Sequence, residues 1–253
     1  MHKTVSRITR HPLQSAPNRN VAMPWQTILK TLGTPDGATL DSVMKAIRSA
    51  LGLGSRTGVD RAAFTAAVVA LSAKLSIADG VSLRIEEETF ERLFRFEPEE
   101  AANVRWLFRL AAKDTAGYDS YARELATTLA DRPDLKHDIL DALLHIASAD
   151  GILHEGEDRF IHAVAEIFGT APADYRAMRA RFVHDPADPY EVLGLSREAS
   201  NDALKQHYRH LVRANHPNAL AGRGLSKQLQ DVASRKLAAI NAAWEQIARE
   251  RGL

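Results

Sequence analysis

The chain has 253 residues, 45% of them apolar and 26% charged, with a net charge of +1 and no cysteine. That length and apolar fraction supply one large core or two smaller ones. The missing cysteines exclude disulfides, thiolate catalysis and cysteine-ligated zinc.

The near-neutral total hides an uneven distribution: residues 1–60 hold 8 basic and 3 acidic side chains, 61–183 hold 15 and 21, and 184–253 hold 10 and 8. This division predicts three units, an N-terminal segment at 1–60, a helical domain at 61–183 and a C-terminal domain at 184–253. The first 22 residues are polar, basic and without periodicity, which reads as disorder; Met23 offers a second start. Apolar residues from Leu40 to Leu53 recur at helical spacing and predict a short amphipathic docking helix, ended by Gly52, Gly54 and Gly58, with a weak membrane-surface helix as the alternative. No run approaches 18 apolar residues and no secretory signal opens the chain, so a cytoplasmic location is expected, with membrane association disfavoured and left open.

From Arg61 onward every periodic segment is helical and none alternates like a strand, so the fold class is all-α. The spacing predicts helices over Ala62–Ala78, Glu86–Phe94, Glu99–Thr115, Tyr118–Leu129, Leu135–Ala149, Glu155–Phe168 and Ala173–Phe182. Pro98 and Pro172 stand at helix starts, where a missing amide hydrogen costs nothing.

An internal repeat runs through this region. "LSIADGVSLRIEEETFERLF" aligns with the segment ending "ADGILHEGEDRFIHAVAEIF" so that Asp79 falls on Asp150 and Glu86 on Glu157. Each copy is a helix, an Ala-Asp-Gly turn and a second helix opening with acids. Gly80 and Gly151 suit a left-handed helix end, and the acids suit the positive end of a helix dipole, so the turns need only a structural role. The functional alternative brings Asp79, Glu86, Asp150 and Glu157 together as a site for a hard divalent cation such as calcium or magnesium. No cofactor is otherwise expected. "HEGED" at 154–158 fails as a zinc-protease motif because Asp158 stands where a second His is needed. His137, His145 and His162 read as solvated or partly buried helix residues.

With its doubled turns, "EEAANVRWLFRLAAKD" and "YARELATTL", the segment from Arg61 to Gly169 resembles the TerB-like (tellurite-resistance) helical domain. The version that precedes a J-domain in DjlA-type co-chaperones is most similar. The resemblance implies an all-helical domain, some members of which bind metal through acids of this kind.

The C-terminal unit opens after the hinge "HDPAD". A short helix from Pro189 ends at Gly194, and Ser200 or Asn201 starts a second that runs to about Asn215. Leu204, Tyr208, Leu211 and Val212 form its apolar stripe, while Lys205, Arg209 and Arg213 stand four residues apart as a basic ridge. Pro217 stops the helix. The last helix, "VASRKLAAINAAWEQIARERG", supplies Leu237, Ile240, Ala243, Trp244 and Ile247 to the opposite wall of an antiparallel hairpin.

Over 188–253 the sequence closely resembles a J-domain: "DPYEVLGL", Lys205/Tyr208/Arg209/Leu211, His216-Pro217 and "AAINAAWEQI" match in order and spacing. The resemblance implies a DnaK-type chaperone as partner, contacted by Lys205, Tyr208, Arg209, Arg213, His216, Pro217 and Asn218, and no hydrolysis by the chain itself. In that family a His-Pro-Asp loop triggers ATP hydrolysis in the chaperone. Here Asn218 stands in place of Asp, keeping an acceptor oxygen but not the charge, so weakened stimulation is expected. Three ridge cations on a domain of small net charge make only a weak nucleic-acid footprint, so a nucleic-acid partner is not expected. The client of the acidic domain stays open. So do two other readings, a degenerate J-like scaffold with no DnaK partner and a metal-binding TerB-like stress protein.

Overall fold

The computed structural model describes residues 66–76, 105–109, 111–112, 117–149, 151–183, 188–216 and 227–253. Among the described residues every regular element is a helix, as the periodicity predicts. The expected N-terminal segment, the amphipathic helix at Leu40–Leu53, the helix at Glu86–Phe94 and the first copy of the acidic turn lie outside the described residues.

The helical run 66–76 is buried on every side, with Lys74 and Ser76 enclosed alongside Val68, Val69 and Leu71. A helix apolar all round belongs in the middle of a bundle. Lys74 is accommodated because its ammonium stands 5.0 Å from the centre of the Tyr121 ring, a favourable cation–π placement. Leu107, Phe108 and Ala111 add to the same core.

Four helices contribute to the same core. The first, α1 (Tyr118–Thr128), buries Tyr121, Ala122 and Leu125 at helical spacing. Next, α2 (Pro133–Ala147) starts two residues earlier than its apolar period predicts, because Pro133 occupies the first turn, where it sacrifices no hydrogen bond. Then α3 (Glu155–Phe168) buries Phe160, Ile161, Val164, Ala165 and Phe168; each large apolar side chain so enclosed contributes about 1.5–3 kcal/mol. Between α2 and α3, Gly151 has φ 97°, the left-handed conformation foreseen for it. Finally, α4 (Pro172–Ala180) lies on α3 through Asp158, whose carboxylate accepts from the Tyr175 hydroxyl at 2.7 Å and from Arg179 Nε at 2.8 Å.

Three helices make the second cluster. In α5 (Pro189–Leu193), the Asp188 carboxylate caps the first turn by accepting from the Tyr190 amide at 3.0 Å. Similarly, Ser200 Oγ accepts from the Ala203 amide to start α6 (Asn201–Ala214). The long α7 spans Lys227–Arg251 and starts five residues before the apolar stripe that predicts it. Leu204 and Leu211 of α6 meet Ile240, Ala243 and Ile247 of α7. Arg251, at the end of α7, donates to the Ala199 carbonyl at 2.7 Å and to Asn201 Oδ1 at the start of α6, so the two helices run antiparallel.

The two clusters are joined at two places. Ala180 of α4 belongs to the second core, and Gly194, at φ 72°, lies so close to α4 that a Cβ there would come within 3.2 Å of the Ala177 Cβ. Farther along the chain, Val232 and Ala233 of α7 are buried in the first core.

Candidate functional site

The basic ridge is carried by α6, whose apolar face holds it in one rotation about its axis. Leu204 and Leu211 point into the core, so Arg209 and Arg213 are exposed and Lys205 is half-buried. His216 follows directly after the helix and is exposed. The helix end is well defined: the amide of Asn215 donates to the Leu211 carbonyl at 3.0 Å, and its side-chain Nδ2 reaches the same oxygen at 2.8 Å. Pro217 and Asn218 lie outside the described residues.

Tyr208 sits differently from its basic neighbours. Its ring stacks on Trp244 with centroids 4.6 Å apart and planes 7° from parallel, and its hydroxyl donates to Asn241 Oδ1 at 3.1 Å. That geometry fixes α6 on α7 and leaves the ridge, not the ring, facing outward. His207 performs a related task by donating Nε2–H to the Leu193 carbonyl at 2.9 Å, which ties α6 to α5. Arg209 and Arg213 are thus solvated charges on a helix held from behind by aromatic and hydrogen-bonded contacts.

Of the four carboxylates considered for a cation, Asp79, Glu86 and Asp150 lie outside the described residues. Glu157 is buried, 6% exposed, and its Oε2 accepts from the His154 amide at 2.9 Å. This is the acid of a capping box, in which the third helical residue satisfies an orphan amide at the helix start. Its neighbour Asp158 is held by Tyr175 and Arg179. Burial, followed by the hydrogen bond to Asp158, pushes the Tyr175 phenol above its ordinary range. No group of three or more acidic or histidine side chains that could hold a metal occurs among the described residues. His145 is buried at 5% exposure, not solvated or partly buried as expected, with its ring edge-on to Phe182 at 6.2 Å; His162 stacks on Tyr175 at 4.7 Å. No helix among the described residues is long and apolar enough to cross a membrane.

Three charged groups escaped sequence reasoning. Asp141 of α2 and Lys236 of α7 form an ion pair at 2.5 Å with side chains only 7% and 12% exposed. Arg181, after α4, donates Nε to the Val192 carbonyl at 3.0 Å, and burial lowers its pKa against the attraction of Asp141 and Asp174. Asp141 was visible in principle, as a lone charge inside "ILDALLHIA", where the apolar face leaves no room for an unpaired carboxylate.

Residues 65–180 match the family described as tellurite resistance protein TerB, and residues 188–251 match the DnaJ domain. The chain is thus all-α, with a region like the TerB helical domain followed by a helical J-domain-like region. The J-domain match takes in α5, α6 and α7, and the TerB match takes in the helices before them. Curated relatives include the co-chaperone protein DjlA of Photobacterium profundum, 27% identical over 57% of this chain and 61% of its own length. The DjlA of Coxiella burnetii is 28% identical over 58% of this chain and 61% of its own. For the DjlA of Vibrio cholerae the figures are 30%, 48% and 54%. The matched part of the chain thus spans between about half and three-fifths of these relatives. No solved structure matches it.

Proposed function

We propose that this chain is a non-enzymatic, DjlA-like adaptor that docks a DnaK-type chaperone through the ridge of α6 while its TerB-like domain engages a separate, unidentified client. The observation that carries this reading is the exposure of Arg209 and Arg213 on a helix whose opposite face is fixed by Leu204, Leu211 and the Tyr208–Trp244 stack. Solvated cations at four-residue spacing give a partner's acidic surface a rigid array to meet, which favours orientation and association rate. His216 stands at the end of that array, where a J-domain presents its loop.

Asn218 separates docking from triggering. A hydrogen bond to a charged group contributes about 1.5–3 kcal/mol and a neutral one about 0.5–1.5, so loss of the carboxylate lowers engagement by about 1–2 kcal/mol. If the carboxylate acts in the activated state, the loss falls on rate, not affinity. The test is a steady-state ATPase measurement on a DnaK-type chaperone. The wild-type chain is expected to stimulate weakly and Asn218→Asp strongly. Absence of nucleotide-dependent association for both proteins would replace this reading with that of a J-like scaffold without a DnaK partner.

A further inference from the structure

The junction between the domains contains charges that docking does not use. One helix, α7, serves two cores: Ile240, Ala243 and Ile247 belong to the J-domain cluster, whereas Val232 and Ala233 are buried in the TerB-like cluster. Lys236 follows one turn later on the same face and meets Asp141 of α2. A second attachment lies between α4 and α5, where Arg181 donates to the Val192 carbonyl and Gly194 lies against Ala177. Two separated attachments fix an orientation that one alone would leave free to swivel.

We propose that the Asp141–Lys236 pair is an interdomain latch, by which the TerB-like domain grips α7 and sets the orientation of the hairpin that carries the exposed ridge of α6. The location supports this. Lys236 lies on α7 between Val232 and Ala233, buried in the first core, and Ile240, buried in the second. The chemistry supports it too. A buried ion pair adds little net stability over an apolar pair of the same volume, but it penalises every arrangement that leaves one charge alone, and so it favours one registry. Hydrophobic contacts at Val232 and Ala233 would tolerate sliding; the ion pair does not. Arg181 ties the other attachment by donating Nε to the Val192 carbonyl at 3.0 Å. Asp141 and Lys236 are positioning residues and touch no partner.

The latch stands on distances alone, whereas its consequence for the chaperone rests on the function proposed above, and the test keeps them apart. Because the chain has no cysteine, Glu166→Cys and Gln206→Cys place spin labels at two exposed positions, one on each domain. Pulsed electron–electron resonance on the full chain is expected to give a single narrow distance. With Lys236→Met, which keeps the side chain's apolar bulk, the distribution is expected to broaden while helical content by circular dichroism stays the same. A broad distribution in the otherwise wild-type chain, or a narrow one in the Lys236→Met chain, overturns the latch. In the Asn218→Asp background, Lys236→Met is expected to lower stimulation of the chaperone's ATPase about fivefold or more. Unchanged stimulation with a broadened distance overturns the positioning role. No nucleotide-dependent association even of the Asn218→Asp chain sinks the docking proposal and leaves the latch to be judged by its distances.

Discussion

The ridge of α6 and the junction of α2 with α7 use charge in opposite ways. Arg209 and Arg213 keep their hydration and have no part in holding the hairpin together. Asp141 and Lys236 have given up most of theirs, at 7% and 12% exposure, and depend on each other. Solvated charges contribute little to folding and remain available to a partner, while enclosed ones are committed to the chain itself. The proposed docking ridge and the architecture therefore use different charges, and substitutions can divide them.

The largest effect is expected at the enclosed pair. Asp141→Asn leaves the Lys236 ammonium buried without its counter-charge and should cost about 3–5 kcal/mol, read as a lowered urea midpoint at unchanged slope. Trp244→Ala comes next, since it removes the platform under Tyr208; about 3 kcal/mol is expected. Tyr175→Phe loses the hydroxyl's bonds to Asp158, about 1–2 kcal/mol by the same measurement. That substitution also has a pH signature. The folded phenol is held above its ordinary value, so the folded state keeps a proton that the unfolded chain releases near pH 10. Stability from this group is full below that pH and declines as pH rises toward the folded value. Tyr175→Phe should flatten that alkaline decline. Arg209→Ala and Arg213→Ala should change stability by no more than about 0.5 kcal/mol yet greatly weaken association with a DnaK-type chaperone in a pull-down. A loss of stability there comparable to that of Asp141→Asn would break the contrast between the two regions.

At the acidic turn the smallest response of all is expected. With Glu157 committed to the His154 amide, calorimetric titration with calcium or magnesium should give no heat at millimolar metal. A clear binding isotherm would restore the four-carboxylate reading of Asp79, Glu86, Asp150 and Glu157.

The helices were legible in the sequence because burial imposes a period on apolar residues, and α3 was expected at Glu155–Phe168, where it lies. Boundaries without that period were harder. The first turns of α7 are rich in Lys and Gln, which favour helix without marking a face, so they read as loop. The ridge was legible for a related reason: a four-residue spacing of cations is local. Nothing local announces a contact across 95 positions, such as that of Lys236 with Asp141. Tyr208 shows the remaining limit. Its place in the motif was plain, but whether its ring faces a partner or Trp244 depends on a helix packed from elsewhere in the chain.

Arg251 has a consequence for how the hairpin of α6 and α7 can open. It binds the Tyr190 hydroxyl, the Ala199 carbonyl and Asn201, clasping three stretches of chain at the end of α7 remote from His216. The helices are paired again at the Tyr208–Trp244 stack, so parting them requires the loss of two unlike contacts on different turns, one charged and one aromatic.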